Sequence, residues 1–375
     1  MVVFLIEDIA YQGNKTKELV KRIPPRSIVV LSHEDIDSTA ADDLKNCKVK
    51  AIINIKKSMT GHYVHNGVRT LLENRIPVFD VEKFYRHDIS LERETVRISN
   101  NDLYISDNNQ FIKVAKLSRY DFKRVNQLDR VAKLHLPEQF EQFIENSFQY
   151  GKKELSLFAK GQLVEGIFQL CSNKEVLIVT RGDKYEKDIQ AIKSWVKKEK
   201  PIIIAVDGGA DGLLKYGLTP TIIIGDMDSV SEKALATGAK LVVHSYLNGV
   251  APGAKRLESL NLNYDSKSFV GTSEDVATIF SYWAQAKHIY TIGSHTSMVD
   301  FLEKGRKGMG SSILVRIQAG HTITDLRGIH KLNKLEEKNR LPFLPSVSAV
   351  ALTFAMFNEK CKLLLSLVWF SLNGG

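Results

Sequence analysis

The chain has 375 residues, longer than one ordinary hydrophobic core, so two or three folding units are expected at about 100–200 residues each. Hydrophobic residues at 43% and charged residues at 25% exclude a largely disordered chain. The 52 Lys and Arg outnumber the 43 Asp and Glu, giving +9, but the signs are interspersed and no run forms a nucleic-acid tail; no nucleic-acid partner is expected, while phosphorylated ligands and an anionic membrane surface stay open.

The N-terminal run MVVFLIEDIAYQG has no basic leader and soon meets Glu7 and Asp8, against a secretory signal. Cys47, Cys171 and Cys361 lie far apart with no CxxC pair, which removes zinc and disulfide frameworks and suits a reducing cytoplasm. Residues 28 to 80 alternate strand-like runs (IVVLS, KAIINI, PVFDV) with helical stretches, a small α/β unit. The segment Ser58 to Tyr63 after KAIINI could contact a ligand or a second domain. Residues 93 to 117 read as two or three short strands separated by SNND and SDNNQ turns. Together these form an N-terminal α/β domain with a short β segment, residues 1–120. A helical connector follows over 121–171, interrupted at Pro137, where proline can restart a helix, with Phe140, Phe143, Ile144 and Phe148 as a packing stripe.

From residue 172, the runs EVLIVT, PIIIAVD, TIIIGD, KLVVHS, SFVG, HIYTIG and SILVRI alternate with helical segments. That alternation predicts an α/β, Rossmann-like parallel sheet covered on both faces, residues 172–335. Ligands of such sheets sit beyond the carboxyl ends of the strands. The first such loop, Asp207-Gly208-Gly209-Ala210-Asp211, offers close backbone approach and a helix start for a phosphate, though tight strand-to-helix turns need glycine in any case. The second, Gly225-Asp226-Met227-Asp228-Ser229, puts two more carboxylates at the same edge; three acids there repel one another unless a cation intervenes, and Mg²⁺ suits such oxygen ligands. Asp228 could also be a helix N-cap. The third, Gly271-Thr272-Ser273-Glu274-Asp275, opens a helix; Thr272 or Ser273 caps it, and the acids either complement the helix dipole or join the shared site. Arg181, after EVLIVT, is the first choice for a phosphate-binding cation, with Lys255 and Arg256 behind it, and His295 at a later strand end is a candidate acid or base.

The stretch AVDGGADGLLKYGLTPTIIIGDMDS resembles the catalytic domain of thiamine pyrophosphokinases, in which DGGA, GDxDS and TD-type segments surround ATP and magnesium. The resemblance implies Asp207, Asp226, Asp228 and Asp275 as catalytic acids, with Asp226 and Asp228 holding the metal. It implies Gly208 and Gly209 as the phosphate-side loop, and Arg181, Gly225, Ser229, Thr272 and Ser273, at the neighbouring strand ends, are expected to bind the nucleotide with them. Where those enzymes carry a GGRxDH-type segment, this chain has Gly293-Ser294-His295-Thr296-Ser297-Met298, without the arginine, and their thiamine-binding β-sandwich has no counterpart. Over residues 25 to 335 the chain resembles the bacterial SteA-type cytokinetic ring proteins, through KAIINIKKSMTGHYVHNGVRTLLENRIPVFD, APGAKRLESL, FVGTSEDVATIF and FLEKGRKGMGSSILVRIQAG. That resemblance implies a regulatory or assembly role in cell division, a nucleotide or phosphorylated small molecule as ligand, and a membrane-protein or self-association partner. The other functional class is a working ATP-dependent pyrophosphokinase acting on a small alcohol.

The last segment, 336–375, is nearly all apolar from Leu341 to Leu372, broken around Asn358, Glu359, Lys360 and Lys362. It reads either as a buried terminal helix pair or as a segment resident at the membrane. Lys331, Lys334, Lys338 and Arg340 just before it would leave the main body at the cytoplasmic face.

Overall fold

The computed structural model describes residues 5–86, 89–108, 110–161 and 166–332, with Leu363, Ser366, Leu367, Trp369 and Phe370. Met1–Arg327 forms one compact unit and Gly328–Gly375 another. Most of the apolar segment that raised the membrane question lies outside the described residues. Among those described, no helix is long and apolar enough to cross a membrane.

The first unit begins with a seven-stranded closed barrel. Strands β1 (Leu5–Gly13), β2 (Ile28–Leu31), β3 (Ala51–Asn54) and β4 (Val78–Phe84) run parallel, with helices α1 (Thr16–Leu19), α2 (Ser38–Asn46) and α3 (Gly67–Glu73) between them. An antiparallel meander, β5 (Thr95–Ser99), β6 (Asp102–Asp107) and β7 (Gln110–Arg119), then joins β4 through β7 and closes onto β1 through β5. The two N-terminal pieces expected from periodicity are thus one closed sheet. The strand that closes it, β1, is the apolar run weighed above only as a leader. Alternation explains the closure: Ala10, Ile28, Val30, Ile53 and Phe79 pack together on one side, and Val29, Leu31 and Ile52 pack against helices on the other. The SNND turn has Asn100 and Asn101 both at positive φ, 47° and 67°, the conformation a two-residue hairpin needs to match strand twist.

Helix α4 (Phe122–Lys160) follows, 39 residues without interruption. Pro137 was expected to break it and does not. Residues 133–138 are all exposed, so the Lys133 carbonyl that loses its partner faces solvent, where the loss is cheapest. The expected aromatic stripe is also corrected. Phe143 is buried edge-on against Phe301, whereas Phe140 and Phe148 are exposed. Val125, near the start of α4, belongs to the barrel core and Phe158, near its end, to the second core, so one helix is shared by both.

The second core lies against an all-parallel sheet in the order β12-β11-β10-β9-β8-β13-β14. Its strands are β8 (Glu175–Val179), β9 (Ile202–Val206), β10 (Ile222–Gly225), β11 (Lys240–Ser245), β12 (Asp265–Ser268), β13 (His288–Ile292) and β14 (Ile323–Asp325). The helices are α5 (Tyr185–Glu199), α6 (Gly209–Lys215), α7 (Glu232–Leu235), α8 (Ala254–Ser259), α9 (Ser273–Trp283), α10 (Met298–Leu302) and α11 (Gly310–Ala319). The expected fold class, α/β with a Rossmann-like parallel sheet, is what forms. Two strands differ from expectation. SILVRI lies in helix α11, burying Ser311, Ser312, Val315 and Ala319 at helical spacing while Ile317 is exposed, and β14 takes the outer strand position. The strand read as SFVG starts three residues earlier, at Asp265. Because the chain runs outward from β8 to β12 and then returns to β13 on the other side, the order reverses between β8 and β13, where open α/β sheets form their ligand crevice.

Candidate functional site

Five predicted positions meet at the carboxyl edge of β9 and β10: Asp207, Gly208, Gly209, Gly225 and Asp226. Asp207 ends β9 in a left-handed conformation, φ 46°, and its carboxyl lies over the backbone of Gly225. A Cβ at Gly225 would come within 1.9 Å of Asp207 Oδ1, and the Gly225 φ of 154° is itself one that side chains avoid. The Met227 N–H donates to Asp207 Oδ1 at 3.2 Å. Burial, and next the adjacent Asp226 carboxylate, hold the Asp207 carboxyl well above the ordinary carboxylate range, only partly offset by the Met227 N–H. Asp226 Oδ1 accepts from the Asp228 N–H at 3.0 Å, which fixes the turn. Gly208 lies against the Arg181 side chain. Gly209 is demanded by packing: a Cβ there would come 2.2 Å from the Val179 carbonyl.

Most of the remaining predicted residues are engaged elsewhere. Asp228 points to the barrel, where Lys17 Nζ lies 3.2 Å from its Oδ2 and Lys21 donates to its carbonyl at 2.8 Å. It does not cap the next helix; Ser231 does, through the Ala234 N–H at 3.1 Å. Ser229, half-buried, lies beside Gly208. Arg181, expected to face a phosphate, forms a largely covered ion pair with Asp43 of α2. Arg256 donates to the Met227 carbonyl. Asp275 is absorbed in a capping box: its Oδ2 accepts from the Thr272 N–H at 2.8 Å and from Ser312 Oγ at 2.9 Å, while Thr272 caps α9. Burial pushes the Asp275 carboxyl up. Ser273 Oγ lies 3.1 Å from His244 Nδ1, whose Nε2 must carry the proton it gives to the Phe269 carbonyl at 3.0 Å. Ser58 and Thr60, also weighed as contacts, bond within the barrel to Asp80 and Asp35.

His295, the candidate acid or base beyond β13, is paired with Glu274. Glu274 Oε2 accepts from the His295 N–H at 3.2 Å and lies 3.1 Å from its ring Nδ1. Lys304 Nζ is 3.3 Å from the same ring nitrogen. Although Lys304 keeps solvent contact, the protein packed around it pushes its ammonium down. Next to this group a cavity of about 370 Å³ opens between α4, the start of α9 and the Gly305–Ser312 segment, with Glu154, Thr272, Asp275, Arg306 and Lys307 among its lining residues. No motif marked Lys17, Lys21 or Asp43, which reach the edge from more than 130 residues away.

Among the described residues, no group of three or more His, Cys, Asp or Glu side chains has a geometry that could hold a metal. Asp207 and Asp226 form the acid pair here that a divalent cation would relieve, and Mg²⁺ completing its shell with water and phosphate needs only one or two carboxylates. Asp228, expected as the second metal ligand, is turned to Lys17 instead. Because the folded protein holds the Asp207 proton more tightly than the unfolded chain, that group contributes stability below the ordinary carboxylate range, lost as pH rises through its raised range. Asp207→Asn is therefore expected to raise metal-free stability at pH 8 by about 2 kcal/mol and to change nothing at pH 3.5. Urea denaturation at the two pH values measures this, and equal effects at both would refute it.

These elements define an α/β protein in which a closed barrel and a parallel sheet share one long helix and the sheet gathers acids at its carboxyl edge. No family model matches the chain, and no curated protein does. Solved structures that superpose in part include a thiamine pyrophosphokinase from Bacillus subtilis, 21% identical, covering 40% of this chain with a TM-score of 0.26. Another is a 3-isopropylmalate dehydratase from Methanocaldococcus jannaschii, 14% identical, covering 32% of this chain and 86% of its own, with a TM-score of 0.22. The chain spans 60% of the length of that pyrophosphokinase. Likenesses of this size say nothing of ligand or chemistry.

Proposed function

We propose that the carboxyl edge of β9 and β10 binds a nucleotide or another phosphorylated small molecule together with Mg²⁺. The observation that carries this reading is the Asp207–Asp226 pair, two carboxyl groups pressed together at adjacent strand ends with one pushed above its ordinary range. Like charges brought together without a compensating cation cost folding energy, and a bound metal would turn that cost into affinity. Asp207 and Asp226 would hold the metal, which supplies charge neutralisation, while the Lys304 ammonium, just after α10, favours the Asp207 carboxylate and Arg306 lines the neighbouring cavity. The SteA-type motifs in the sequence point to a regulatory or assembly use of this binding in cell division, with the apolar C-terminal segment as its connection to a membrane or a membrane partner.

A second reading, a working pyrophosphokinase, is favoured by one feature, the His295–Glu274 pair. An imidazole oriented by a carboxylate could take the proton of an attacking alcohol. Titration calorimetry of the full chain with ATP, with and without Mg²⁺, followed by assay for AMP with small alcohols, tests both. Metal-dependent binding without AMP is the expected result. AMP release would establish the enzyme, and no heat in either condition would remove the site.

A further inference from the structure

The two sequence-predicted ligand groups of opposite sign, the acid Asp228 and the cation Arg181, are each neutralised by a barrel residue of the opposite charge. Lys17 Nζ sits 3.2 Å from Asp228 Oδ2, where a metal ion would otherwise balance that carboxylate. The Asp43 carboxylate sits on the Arg181 guanidinium, where a phosphate would otherwise lie. A third contact, from Ser38 Oγ to Glu303 Oε1 at 3.0 Å, joins the start of α2 to the loop that carries Lys304 and Arg306. Lys21 adds a bond to the Asp228 carbonyl at 2.8 Å. The barrel thus touches the sheet at the ends of β8 and β10 and beyond β13, the places a ligand of this edge must reach.

We propose that the barrel is a tethered electrostatic lid, whose Lys17 and Asp43 imitate the metal and the phosphate of the ligand, so that binding at the sheet edge and docking of the barrel exclude one another. This rests on the phosphorylated-ligand reading given above. The latch is of a strength a ligand can break. The Lys17–Asp228 pair is substantially solvated, at 35% and 42% side-chain exposure, and such pairs are weak. At the other contact, burial pushes the Asp43 carboxyl up even beside Arg181, while that carboxylate holds the guanidinium up. An arginine stays charged in either state, and desolvation of the Asp43 carboxylate is not fully repaid by its partner. Helix α4 keeps the barrel attached when the ion pairs part.

The apparent affinity of a ligand falls in proportion to the fraction of protein competent to bind it, so weakening the latch must tighten binding. In the full chain, Lys17→Ala with Asp43→Asn is expected to bind Mg²⁺–ATP about tenfold more tightly than wild type by calorimetry, and Lys17→Ala alone about threefold. Both lie in the barrel, and Lys17→Ala, at a solvated position, leaves the fold intact if the double variant does not. Small-angle scattering of the wild type is expected to show an increased radius of gyration on adding Mg²⁺–ATP. Binding that is equal or weaker in Lys17→Ala, with no change in radius, overturns the lid and leaves the binding site standing. Absence of binding in the wild type and in both variants overturns the lid and the site together.

Discussion

Replacing Asp226 and Asp228 together by alanine is expected to lower Mg²⁺-dependent nucleotide affinity at least about a hundredfold, roughly 3 kcal/mol, with a urea midpoint close to that of the wild type. The two positions contribute unequally. Asp226 crowds Asp207, and its removal leaves a single carboxylate for the cation. Asp228 already has Lys17 as a partner, so Asp228→Ala alone removes one metal-side charge and at the same time loosens a barrel contact. The single variants, titrated with ATP in the presence of Mg²⁺, should therefore separate, Asp226→Ala carrying most of the loss. Affinity unchanged in the double variant would remove both acids from the site. Strand-end loops contribute little to the core, which is why a large effect on binding goes with a small one on stability.

The largest effect on stability is expected at Gly225→Ala, about 3 kcal/mol. Alanine there must hold a φ of 154° and place its Cβ 1.9 Å from Asp207 Oδ1, so either the Asp207 side chain leaves its position or the β10 end shifts. Both outcomes also disturb the acid pair, and metal-dependent binding should fall along with the denaturation midpoint. Gly320→Ala serves as the control. Its Cβ would meet nothing within 4 Å and its φ is −57°, so a change within about 0.5 kcal/mol is expected. Equal denaturation midpoints for the two variants would show that the 225 backbone relaxes at no cost.

The parallel sheet was legible because its central strands are short, continuous apolar runs, buried on both faces, bounded by glycine and acidic loops. Its limits were not. SILVRI is as apolar as TIII, and nothing in a short run separates a helix that packs across a sheet from a strand within it. The exposure of Ile317, a tertiary fact, is what decides. The barrel was legible as pieces, its alternating strands and its Asn-Asn turn, but closure depends on β1 pairing with β5 across about 90 residues, and no local pattern records such a pairing. The candidate site divided along the same line. Asp207, Gly225 and Asp226 are close in space because β9 and β10 are neighbours, which βαβ succession predicts. Arg181 and Asp228 were placed at the correct edge, yet their partners come from α1 and α2 of the barrel, and sequence spacing carries no information about that docking. Asp275 shows a further limit: an acid three residues after a threonine fits a capping box as well as a ligand site, and in the structure it forms the box and also accepts from the Ser312 hydroxyl.

A closed barrel has no strand edge, and the open sheet has two short ones. β12 is the four-residue run Asp265–Ser268, rich in polar groups and largely exposed, and β14 has only three residues. Unpaired backbone on long apolar edges is the usual template for one chain to extend the sheet of another, and within the described residues this unit offers almost none. Filament growth or aggregation by strand addition is accordingly disfavoured by construction. Copies that gather at high local concentration would meet through side chains, such as the exposed Leu134, Phe140 and Phe148 of α4. Contacts of that kind are reversible and change with a few surface substitutions, whereas backbone ladders are slow to undo.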